Sequence, residues 1–148
     1  MMRLLPTLAV ATVAFVAGVA VAHHASRADA AADPIVAQAV DLSQVTYAGL
    51  PAPETGALRK KMFIDAESLT VGVYLGPFPR HYHANSNEIQ YVVDGTGTET
   101  FGERTVALHP GMLLVIPKGM AHGGVGSGLK ILEIKSPPQD PDDNHRIP

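Results

Sequence analysis

Three histidines and one glutamate stand out in this sequence, because imidazole and carboxylate are the ligands divalent transition metals take. His81 and His83 are two apart in "HYHANSNEIQYVVDG", and an extended chain sends both rings to one side. Glu88 follows at an odd step from His83, which a continuous strand would aim the other way. Ala84-Asn85-Ser86-Asn87 lies between them and is rich in turn formers. A turn there resets the parity, so Glu88 faces back toward the histidines from a neighbouring strand. "PKGMAHGG" offers the fourth ligand, with Pro117-Lys118-Gly119 as a turn and His122 opening the next segment. Three nitrogens and one oxygen leave two positions of an octahedron open. Such a site suits iron, manganese, nickel, copper or zinc, and serves either dioxygen activation or Lewis-acid chemistry on a chelated oxygen.

Other side chains take roles from their place beside these four. Gln90 shares the parity of Glu88 and is read as substrate-binding. Tyr74 sits on the less apolar face of its strand and offers a hydroxyl to a substrate. Glu88 itself, by leaving a metal, is the candidate catalytic base. Arg80 alternates with His81 and is read as surface. Met112 and Met120 are read as core or cavity wall, and His109 as a turn histidine.

Holding the four ligands together requires strands. Residues 69–75 alternate apolar and polar or small positions, as do residues 88–93, which Asp94-Gly95 closes. Residues 98–101 and 104–108 flank Gly102-Glu103 as a hairpin. Residues 112–116 and 129–135 supply two more strands, and no helical period shows outside the first 22 residues. Many short strands at even spacing predict an all-β sandwich or barrel.

With the ligands on strands, a resemblance becomes legible. Residues 76–95 resemble the first motif of the cupin family: His-x-His, then Glu, then Gly after six intervening residues. Residues 111–126 resemble the second, with Gly111, Pro117, Gly119 and His122 in register. Two positions depart from the pattern. Gly76 lies one residue too near His81, and Gly126 stands where the motif ends in asparagine. The resemblance spans about residues 69–135 and implies a single-domain cupin double-stranded β-helix, a jelly-roll barrel, over residues 46–136. It implies His81, His83, Glu88 and His122 as ligands to one divalent metal. It further implies a metal-dependent enzyme, foremost a dioxygenase-type oxidoreductase on a small oxygen-bearing substrate. A Lewis-acid isomerase or lyase and a non-catalytic metal- or ligand-binding cupin are the alternatives. A homodimer that exchanges N-terminal segments such as "QVTYAGL" is a further implication of the family.

Composition narrows the rest. The 148 residues carry a net charge of −3 and no cysteine. A nucleic-acid footprint is therefore absent, and thiolate ligands, disulfides and a cysteine nucleophile are excluded. Arg59-Lys60-Lys61, the one basic cluster, is read as solvated surface. "GVGSGL" has neither the dinucleotide nor the phosphate-loop spacing, and no Gly-x-Ser-x-Gly elbow occurs. Arg3 precedes an apolar or weakly polar run over residues 4–22, ending in Ala20-Val21-Ala22. That pattern predicts a signal peptide over residues 1–22, with an uncleaved membrane anchor as the alternative, and a periplasmic or secreted protein. Residues 23–45 read as a flexible linker, in which His23-His24 is incidental. Residues 137–148 read as a tail wrapping the surface.

Overall fold

A computed structural model describes residues 35–54 and 56–148; the predicted leader, its predicted cleavage site and His23-His24 lie outside them. Eight strands make up the fold: β1 (Arg59–Asp65), β2 (Thr70–Leu75), β3 (Phe78–Tyr82), β4 (Asn87–Phe101), β5 (Arg104–Leu108), β6 (Leu113–Ile116), β7 (His122–Ser136) and β8 (His145–Arg146). All pairings are antiparallel. A single 3-10 turn, Leu42–Gln44, is the only helical element among the described residues.

Two long strands organise the molecule. β4 and β7 pair along their whole length, from Asn87 opposite Ser136 to Phe101 opposite His122. One half of this ribbon continues through β2 to β1 on one side and β6 on the other. Its other half continues through β3 to β8 on one side and β5 on the other. The ribbon thus passes from one layer to the other and closes a jelly-roll barrel, the double-stranded β-helix expected.

The interior divides into an apolar end and a polar end. Phe78, Val92, Leu108, Leu114, Leu129 and Ile131 form the apolar cluster. His81, His83, Glu88, Gln90, Glu99, His122, Glu133 and Lys135 are buried at the polar end. Val45, Val73 and Leu75 make a smaller cluster with Leu50 and Phe63 on the outside of β1 and β2.

Several sequence boundaries are corrected. Asp94-Gly95 does not end a strand; it lies within β4, where the register slips twice, between Val92 and Asp94 and between Asp94 and Thr96. Gly95 has φ +82° and absorbs the bend. β7 begins seven residues before the predicted strand, at His122, because its glycine-rich start carries no hydrophobic period. β1 was hidden by its charges, which belong on an edge strand. Arg80 is half-buried, donating Nη2 to the Gly102 carbonyl at 2.9 Å. The linker assigned to residues 23–45 is packed at its end, where Val45 is buried and Lys130 Nζ donates to Leu42 O at 3.0 Å. "QVTYAGL" seats on its own chain: Arg59 Nη1 donates to the carbonyls of Tyr47 and Leu50. The tail is a structural element, since His145 and Arg146 pair with β3.

Gly126 has a steric cause. It pairs with Gly97 across the ribbon, and a Cβ on Gly126 would sit 2.2 Å from the Thr96 carbonyl oxygen. No asparagine fits there. Gly126→Asn is expected to cost about 2 kcal/mol of stability, read as a lower midpoint in urea unfolding with no change in slope.

Candidate metal centre

Strand geometry delivers the four predicted ligands to one point. His81 and His83 leave the same side of β3 and its extension, and His81 pairs directly with His122 on β7. Glu88, near the start of β4, enters from the adjoining layer after the turn at residues 84–86, as the parity argument required. One donor atom from each of the four lies within 4.8 Å of every other. Exposure is 8% for His81, 2% for His83 and 1% for Glu88 and His122.

Each imidazole is oriented by a backbone carbonyl. The Nδ1 of His81 meets Pro79 O at 2.8 Å, that of His122 meets Met120 O at 2.9 Å, and that of His83 meets Asp143 O. A ring nitrogen facing a carbonyl must be the one that carries the hydrogen. In the neutral rings all three Nε2 lone pairs therefore point to the common centre. Glu88 Oε2 lies 3.1 Å from His83 Nε2 and 3.5 Å from His122 Nε2. Both Glu88 Oε2 and His122 Nε2 are buried without a hydrogen-bond partner. Converging lone pairs at such spacing repel unless a cation lies between them, so this donor set fits a divalent metal.

Protonation follows the same crowding. Burial, with His122 and His83 beside it, pushes His81 down to about 4, which leaves its Nε2 available at neutral pH. Burial alone would raise Glu88, but the close approach of His122 and His83 and the charge of the nearby Lys135 hold it well below the usual carboxylate range.

Four further residues shape the site and were not singled out in the sequence. Lys135 Nζ lies 2.6 Å from Glu133 Oε1 and 3.5 Å from Glu88 Oε2. Burial and the charge of Glu88 raise Glu133 to about 7, against the pull of Lys135. Both share the parity of the buried Ile131 on β7, the one signal that could have found them. Glu99 is wholly buried and neither of its oxygens has a partner; burial raises it to about 8. Its inward direction follows from the slips in β4, which no periodicity announces. Asp143, in the tail, accepts from the backbone N–H of Ala84 at 2.6 Å and of Asn85 at 3.1 Å. It thus holds the turn that follows His83 as well as the ring itself.

The two predicted substrate residues face the same cavity, which encloses about 990 Å³ and is also lined by His81, Glu133 and Lys135. Gln90 donates Nε2 to Glu88 Oε1 at 2.5 Å, and its own Oε1 is buried without a partner. Tyr74 places its hydroxyl 3.7 Å from Met62 Sδ; burial and Glu133 raise its pKa, so it stays a donor.

Residues 74–134 match the family profile of the Cupin domain, a stretch that contains all four ligands. The fold is similar to KdgF from Halomonas sp., with a TM-score of 0.52 and 22% identity over 56% of this chain and 81% of that one. A Streptomyces PAC13 variant with uridine scores 0.58 at 18% identity, over 70% of this chain and 88% of that one; Pac13 is a nucleoside dehydratase. A Klebsiella pneumoniae protein with a double-stranded β-helix domain scores 0.54 at 17% identity, over 63% and 88%. Fold and matched segment together support the cupin superfamily. At these identities the likeness extends to the fold alone. No curated protein matches the chain in sequence. Within the barrel, the first motif forms β3 and the start of β4, and the second forms β6 and the start of β7.

Two outcomes are expected of this geometry. Asp143→Ala, which leaves every ligand in place, should weaken metal binding about tenfold or more in a competition titration against a chelator. In the metal-free protein, stability should fall as pH rises from about 4.5 to about 8, because folded Glu99 holds its proton more tightly than the unfolded chain does. Urea melts across that range should show Glu99→Gln flattening the decline.

Proposed function

We propose that this cupin barrel binds one divalent transition metal through His81, His83, Glu88 and His122, and is an enzyme acting on a small oxygen-bearing substrate. The observation that carries the reading is the common orientation of the three rings, each locked by a carbonyl so that its free nitrogen joins Glu88 Oε2. A divalent metal held there supplies electrophilic polarisation to a chelated oxygen. The chain supplies the proton chemistry. Glu133 and Lys135, 2.6 Å apart, and the Tyr74 hydroxyl line the same cavity without being ligands. Gln90 orients Glu88 with its amide and turns a free carbonyl oxygen toward the substrate. A carboxylate, an ammonium and a phenol around one cavity support proton transfer of the isomerase or lyase type. The donor set by itself equally supports the dioxygenase-type oxidoreductase expected from the sequence, and that remains the competing reading. The apolar leader over residues 4–22 supports a place of action outside the cytoplasm.

Mass spectrometry of the purified chain should find one metal per chain, lost in His122→Ala. The loaded protein, screened in deuterated water against hydroxy-carbonyl compounds, should exchange or eliminate a carbon-bound proton, followed by proton NMR. Glu133→Gln should abolish that exchange while retaining the metal. Oxygen consumption by the iron-loaded protein without exchange would install the dioxygenase reading instead. Absence of metal would remove both.

A further inference from the structure

Two cations face the cavity that the proposed chemistry does not use. Residues paired across an antiparallel ladder project from the same face of the sheet. Arg146 on β8 pairs with His81 on β3, and Lys60 on β1 pairs with Tyr74 on β2. His81 and Tyr74 both line the cavity, and Arg146 and Lys60 line it beside them. Neither has an ion-pair or side-chain hydrogen-bond partner among the described residues. Lys60 is thus set apart from its neighbour Arg59, whose Nη1 is held by the Tyr47 and Leu50 carbonyls. Lys135, deeper inside, is balanced by Glu133. Glu54 is the remaining acid of the lining. A mouth with two unpaired cations, in a chain of net charge −3, is a local concentration of positive potential above a polar cavity.

We propose that the substrate carries an oxyanion, a carboxylate or a phosphate ester, that Arg146 and Lys60 bind while hydroxyl or carbonyl oxygens of the same molecule reach the metal centre. Arg146 presents a planar fork suited to either anion, and Lys60 adds a mobile point charge. The cavity of about 990 Å³ admits a molecule that spans both ends. This inference rests on the metal-site reading and narrows its substrate class to small polyhydroxylated anions.

Calorimetric titration of the zinc-loaded chain with gluconate, sorbitol 6-phosphate and uncharged sorbitol tests it. At least one anion is expected to bind about tenfold tighter than sorbitol or better, with the gap narrowing as salt is added. The double variant Lys60→Gln/Arg146→Gln should lose that preference and keep its zinc. Tighter gluconate assigns a carboxylate; tighter sorbitol 6-phosphate assigns a phosphate ester. Equal binding of all three, no binding of either anion, or a preference unchanged in the double variant would overturn the inference. Metal content, measured on the same samples, separates the two readings. A wild-type chain that holds no zinc yet prefers the anions would sustain the oxyanion site and refute the metal. No zinc and no preference would refute both.

Discussion

Glu88 places a carboxylate inside the barrel, 1% exposed, and the surrounding architecture compensates that charge. Water is absent as a solvent for it, and an isolated carboxylate in such a place costs several kcal/mol, on the order of a whole domain's stability. Register brings the compensation. Lys135 lies opposite Glu88 across β4 and β7, and Glu133 lies opposite Gln90. The Lys135 ammonium from β7 and the Gln90 amide from β4 thus reach the carboxylate, while the three ring nitrogens complete a donor set that a cation would balance. A slip of one residue between β4 and β7 would turn the shifted strand's members of this set outward and bring apolar side chains in.

The long ribbon satisfies this constraint without giving up a hydrophobic core. Along β4, even-numbered residues point inward up to Val92, and odd-numbered Glu99 points inward after the slips. That switch lets one strand line the polar end of one layer and then of the other. The cost falls at Gly95, Gly97 and Gly126, where the backbones approach so closely that only hydrogen fits in place of a Cβ. Meanwhile Leu113 and Val115 face outward, 64% and 68% exposed, while their neighbours Leu114 and Ile116 fill the core. Inside and outside are assigned here by the needs of the site as much as by hydrophobicity.

What could be read in the sequence followed these physical lines. The four ligands were legible because two of them sit on an unbroken alternation and the other two follow turn residues at Ala84 to Asn87 and at Pro117 to Gly119. β2, β5 and β6 were legible from period and flanking turns. β1 was masked by the charges an edge strand carries, and the start of β7 by glycines that have no hydropathy to alternate. Glu99 was illegible because its direction depends on two bulges. Asp143 was illegible because its partner, His83, is sixty positions away, and nothing local in a proline-rich, acidic tail records a contact so distant. The charge cluster was legible in part: Lys60 and Lys61 are exposed as read, but the pairing with Tyr74 that sets Lys60 beside the cavity leaves no local trace.

The carbonyl of Asp143 that orients His83 also sets an order of events in biosynthesis. A chain made from its N-terminus presents His81, His83, Glu88 and His122 long before residue 143. Through that interval all four ligands exist, but the ring of His83 is free to turn and either of its nitrogens can meet a passing cation. The ring is fixed by the segment that carries Asp143, which runs into β8 and its pairing with β3. β8 is the last strand in chain order, so the contact that fixes the His83 ring can be completed only after all four of these side chains have been made.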